Sequence, residues 1–120
     1  MNAIADAERA LWDALSQVAG VHVQPDFGPA VDPPAVVLGP PALVWESGCL
    51  GPSSAQWRVY VVVTADEKSA QRLYELVPAV ADALDGVRQA AVTRADPGRW
   101  PNSTGTGDLP TYEITVEVAL

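Results

Sequence analysis

One histidine, one cysteine and fifteen carboxylates are the residues of this 120-residue chain whose types could carry chemistry. A zinc or iron centre needs three or four ligands converging at a recognisable spacing. His22 and Cys49 stand alone, so the sequence predicts no metal site and no cofactor. A thiol or hydroxyl nucleophile needs a base to orient against. Neither Cys49 nor His22 lies in a nucleophile elbow, and His22 reads as a residue on the surface or edge of a short strand. Paired carboxylates can drive glycoside hydrolysis, but the acids here are dispersed, with no pair standing out from a solvated surface. The segment "GTGDLP" has two glycines but lacks the third glycine and the strand-to-helix setting of a dinucleotide loop. "NST" at Asn102 matches a glycosylation sequon by chance, since no secretory signal accompanies it. With one cysteine, no intrachain disulfide can form. No catalytic residue is nominated, and the expectation is a non-enzyme.

Charge narrows the partners. The formal net charge is -8 and the sequence pI about 4.3. Nucleic-acid binding needs clustered Lys and Arg to displace counterions from phosphates. An acidic surface repels phosphate instead, which suits a protein that DNA passes without sticking as well as one that merely needs solubility. The N-terminus carries acids early and lacks the basic, then apolar, layout of a signal peptide. The longest apolar run, "VYVVV" from Val59 to Val63, is far too short to span a bilayer. Synthesis in the cytoplasm and no membrane partner are expected. A hydrophobic fraction of 48% and a charged fraction of 18% are values of a globular chain. Residues 1–120 are expected to form a single domain with a core that needs no staples.

The elements follow from hydrophobic spacing. Ile4, Ala7, Leu11, Leu15 and Val18 recur at three and four, which predicts an amphipathic helix ended by Gly20. "VHVQ" alternates briefly, and the prolines and glycine of Asp26–Pro34 make an extended loop. "AVVLG" and "ALVWES" are two short strands, or one interrupted by Gly39, Pro40 and Pro41. "QWRVYVVVTA" is the strongest strand, apolar on both faces and therefore central. "DEKSAQRLYELVPAVADALDG" predicts a second helix with Asp66 as N-cap, Leu73, Val77, Val80 and Leu84 as its buried stripe, and a kink or break near Tyr74 imposed by Pro78. "VRQAAVTRA" and "TYEITVEVAL" are the last strands, with Tyr112, Ile114, Val116, Val118 and Leu120 inward. Between them Asp96–Pro110 reads as a long irregular loop. The fold class expected is α+β: a mostly antiparallel sheet with two main helices on one face, in the order α-β-β-β-α-β-β.

Trp12 and Trp57 belong to apolar stripes, whereas Trp45 ends a strand and Trp100 sits between Arg99 and Pro101. A tryptophan in a polar loop either folds back over its own domain or anchors in a partner, where Trp and Arg dominate binding energy.

The order of elements, with "ALWDALSQVAGVHV", "WRVYVVVTADEKSAQRLYELVPAVADALDG" and the closing "GDLPTYEITVEVAL", resembles the tail terminator proteins of long-tailed bacteriophages, also described as minor tail or tail completion proteins. The resemblance spans nearly the whole chain as a pattern of elements and turns, without an invariant motif. It implies a virion protein of the tail neck, assembled in the host cytoplasm. Such a subunit forms a homo-hexameric ring on the head-proximal end of the tail tube, stops tube growth and presents the surface for head–tail joining. Its partners are then the tail tube protein and the head–tail connector, with DNA passing through the lumen without specific binding.

On this reading Asp96–Pro110 projects towards a neighbour. Arg99, Trp100, Asn102, Asp108, Trp45 and Phe27 are the expected inter-subunit or tube contacts, and Trp100→Ala weakens assembly while leaving the monomer folded. The closing strand is either central or paired across a subunit boundary. One rival is a connector, stopper or neck subunit of the same assembly. The other is a small ligand-binding domain or enzyme using His22, Tyr60 or an acid.

Overall fold

The computed structural model describes residues 2–25, 31–48, 50–101 and 107–120. They form an α+β fold of two helices and a six-stranded mixed sheet, 50 × 26 × 22 Å in extent. Helix α1 (Ala3–Ser16) leads into β1 (His22–Pro25), β2 (Ala35–Leu38), β3 (Ala42–Val44) and β4 (Ser54–Val62). Helix α2 (Ser69–Asp85) then precedes β5 (Ala90–Trp100) and β6 (Leu109–Ala119). The sheet order is β1-β2-β4-β6-β5, with β3 beside β4. β1 and β2 run parallel; the other pairings are antiparallel.

The helical stripe predicted for α1 is the buried one. Leu11 and Leu15 are fully buried, with Ile4, Ala7 and Val18 packed around them. The Asn2 side chain starts the helix by accepting from the N–H groups of Ile4 and Ala5 at 3.0 and 3.1 Å, satisfying two of the orphan donors of the first turn. Gly20 does adopt a left-handed φ of 81°. It lies beyond the cap, Gln17, so it shapes the turn into β1 and does not end the helix itself.

β2 and β3 are one strand interrupted. Gly39 N–H reaches the Arg58 carbonyl at 3.2 Å and Ala42 sits opposite Gln56, so Pro40 and Pro41 together face Trp57 alone. Two prolines cannot donate to a ladder, and the extra residue absorbs them.

α2 differs from expectation at two places. Asp66 is not its N-cap: the helix begins at Ser69, and Asp66 closes the turn before it. The Asp66 carboxylate accepts from Lys68 N–H at 2.8 Å and pairs with Arg72 at 2.6 Å. Nor does Pro78 split the helix. Ser69–Asp85 is one element, because Leu73, Val80 and Leu84 are buried on both sides of the proline and hold its two halves on one surface.

The largest correction concerns Asp96–Pro110. Asp96 to Trp100 continue β5, and Leu109 and Pro110 open β6, so seven of the fifteen residues expected as loop are strand, while residues 102–106 of that stretch lie outside the described ones. Pro97 and Gly98 are tolerated because β5 is an edge strand, whose outer side needs no ladder bond. The register slips between Val92 and Arg94, leaving Thr93 as the extra residue of a bulge. A one-residue slip exchanges the two faces of everything downstream. Val92 thus lies with Val116 on the helix-bearing side, whereas Arg94, Asp96 and Trp100 lie with Thr115, Glu113 and Leu109 on the other.

The main core joins both helices to alternate residues of the sheet: Val36 and Leu38, then Ala55, Trp57, Val59, Val61 and Val63, then Ile114, Val116 and Val118. Leu120, expected to point inward, lies past the end of β6 and is 37% exposed. β6 itself is central, between β4 and β5.

Candidate interaction surface

The described residues hold no group of three or more His, Cys, Asp or Glu that could bind a metal ion. His22 is exposed, its Nε2 4.0 Å from the carboxylate of Asp32, itself exposed. Cys49 lies outside the described residues. Among those residues, no helix is long and apolar enough to cross a membrane. The surface features that stand out lie at the two ends of the elongated fold and on the sheet side away from the main core.

On that side a second, smaller cluster is built from Val37, Val62 and Leu109, with Val31, Tyr60 and Trp100 packed against it. The Trp100 and Tyr60 rings meet edge to face, with centroids 5.2 Å apart and planes at 62°, an arrangement favoured by the ring quadrupoles. Trp100 is half-buried as a result. It folds back over its own sheet, and the Thr93 bulge is what directs it there. Beside this cluster run two exposed ion pairs, Arg58–Glu113 at 3.2 Å and Arg94–Asp96 at 2.7 Å. Asp96 hydrogen-bonds the Arg94 guanidinium and raises its already high pKa. Exposed pairs of this kind contribute little to stability but fix side-chain geometry.

The predicted contact residues separate into two groups. Arg99, Trp100 and Asp108 come together near the hairpin end, Arg99 and Asp108 exposed. Trp45 follows β3, which pairs with the start of β4, and that part of β4 pairs with the last residues of β6. At ~3.4 Å per residue along β6 this places it about 30 Å from Trp100. Phe27 and Asn102 lie outside the described residues.

Trp45 is 56% exposed, and Val44, Leu50 and Leu120 are further exposed apolar side chains of the described residues. Two hydrogen bonds bring the ends of β3 and β6 together through Ser53: Ser53 N–H to the Val44 carbonyl at 2.8 Å, and Leu120 N–H to the Ser53 carbonyl at 3.0 Å. Sequence reasoning missed Val44 and Leu120, whose proximity needs the β3–β4–β6 register, and Leu50, a loop residue whose exposure no spacing shows. It also missed Tyr74, 66% exposed on α2, although that residue falls off the Leu73–Val77–Val80–Leu84 stripe and was findable from spacing alone.

A part-buried side-chain hydrogen bond links the layers. The indole N–H of fully buried Trp57 donates to the Glu8 carboxylate of α1 at 3.4 Å. Trp57 is thereby a core residue with its single donor satisfied across the helix–sheet interface. No protein-family model matches this sequence, and no curated protein matches it.

Proposed function

We propose that this chain is a structural subunit of a phage tail terminator, forming a homo-hexameric ring on the head-proximal end of the tail tube. In that position it stops tube polymerisation and offers the surface on which the head joins. The two helices pack on one face of the largely antiparallel sheet, and the subunit acts without catalysis or cofactor. The observation that carries the reading is the placement of exposed apolar and cationic side chains at opposite ends of an elongated fold. Val44, Trp45 and Leu120 lie at one end, and Arg99 stands at the other.

A ring subunit must meet neighbours, a tube and a connector through different surfaces, and such contacts concentrate on a few Trp, Tyr and Arg residues. Exposed apolar groups gathered in one place are a mark of docking sites on soluble domains. The surplus of acids suits a lumen along which DNA slides without binding. The reading rests on these features together with the resemblance in element order. Deleting the gene and imaging the lysate by electron microscopy tests it. Overlong tubes of irregular length, apart from filled heads, are expected. Tails of normal length that fail to join heads would move the chain to the connector, and normal infectious particles would end the structural reading.

A further inference from the structure

The hairpin and the first turn of α2 enclose a shallow depression with an unusual lining. Tyr74 stands on the helix side and Pro97, Pro110 and Tyr112 on the strand side, and the depression continues past Arg99. Two of these residues have no role in the core of their own chain. Tyr74 leaves most of its ring in solvent. Arg99 is exposed and, like Arg9 and Arg88, holds no ion pair among the described residues, whereas Arg58, Arg72 and Arg94 each hold a carboxylate. Aromatic rings and an unpaired guanidinium beside prolines suit an apolar segment that carries a carboxylate.

The chain contains such a segment. Asp32 has its side chain 84% exposed, and its only salt-bridge partner among the described residues is His22 at 4.0 Å. It is followed by Pro33 and Pro34. The segment is already pinned: the Pro34 carbonyl accepts from His22 N–H at 3.1 Å, and Asp32 N–H donates to the Gln24 side chain at 3.2 Å. Presenting it to a partner therefore costs little ordering. It cannot fill the depression of its own chain. Val31 packs with Val37 and Val62 on the side of the sheet away from α2, and the depression opens on the side of α2.

We propose that the depression between Tyr74 and Tyr112 receives the Asp32–Pro34 segment of a second copy of this chain, with Asp32 pairing to Arg99. The two surfaces differ, so the contact repeats head to tail and closes into a ring where the rotation allows. This rests on the ring reading above and names the contact within it.

Sedimentation velocity of the full chain, from about 1 to 500 µM, tests the contact. Wild type should assemble with concentration. Arg99→Glu and Asp32→Arg should each weaken assembly by about tenfold or more, and the chain carrying both should recover it, because the swapped charges meet again between copies. Both positions are exposed, so circular dichroism should show all three variants folded. A wild type that stays monomeric throughout, single variants without effect, or a double variant no better than either would overturn the contact. If the chain still limits tail length in the deletion and complementation experiment, only this contact falls and the function stands. Loss of both would remove the ring itself.

Discussion

Replacing Trp100 with Ala removes the side chain that closes the smaller cluster over Val37, Val62 and Leu109. Roughly 120 Å² of indole surface is covered there, and at ~25 cal/mol per Å² its loss costs about 3 kcal/mol. The edge-to-face contact with Tyr60 at 5.2 Å adds about 0.5–1.5 kcal/mol. A compact unfolded chain already hides some of this surface, which lowers the sum to about 3 kcal/mol. Urea titration followed by far-ultraviolet circular dichroism measures it, and the thermal midpoint should fall by about 10 °C. Trp45→Ala is the matched control: that ring is 56% exposed, and its loss should cost less than about 1 kcal/mol. Trp100→Phe, which keeps an aromatic edge against Tyr60, should fall between the two. A Trp100→Ala variant as stable as wild type would refute the argument. It would return Trp100 to the role of a projecting anchor that weakens assembly and nothing else.

Deleting Thr93 removes the bulge and exchanges the faces of Arg94 to Trp100. The loss should exceed that of Trp100→Ala in the same urea titration, since Trp100 would be turned towards α2 and the charged Arg94 and Asp96 onto the side of the main core. Glu8→Ala removes the acceptor of the Trp57 indole N–H and should cost about 1 kcal/mol, and less in a Trp57→Phe background, where no N–H remains to satisfy. Asp66 gives a pH signature. The Lys68 N–H and then Arg72 hold its carboxyl below the usual range. A depressed folded-state pKa contributes stability that is present above the unfolded carboxylate value of about 3.9 and is lost as pH falls through the lower folded value. The acid limb of stability in this chain should therefore flatten in Asp66→Asn, as read from thermal midpoints across that window. An unchanged acid limb would show that the turn before α2 does not use the charge.

The elements most legible in the sequence are those whose burial is decided by spacing alone. The α1 stripe, the two apolar faces of β4 and the alternation of β6 needed no tertiary knowledge. What escaped was decided by neighbours. Asp96, Pro97 and Gly98 have the composition of a turn, yet pairing with Glu113, Tyr112 and Thr111 makes them strand, because an edge position forgives a missing donor and weak propensity. The bulge at Thr93 has no local signature, and without it the side on which Trp100 falls cannot be assigned. Pro78 was given too much weight, since packing of Leu73, Val80 and Leu84 outweighs one lost helical hydrogen bond. The interaction surface was half visible. Trp45 and Arg99 stand out as aromatic and cationic residues out of place and Tyr74 as an aromatic off its helix stripe, while Leu50 and Leu120 acquire meaning only from exposure in the fold.

The central claim is that the chain ends tail-tube growth. Tail lengths measured by electron microscopy in lysates lacking the gene, with and without complementation, test it most directly. The account predicts tubes of irregular, excessive length without the chain and a single restored length with it. Tails of wild-type length on infectious particles, formed without the chain, would contradict it.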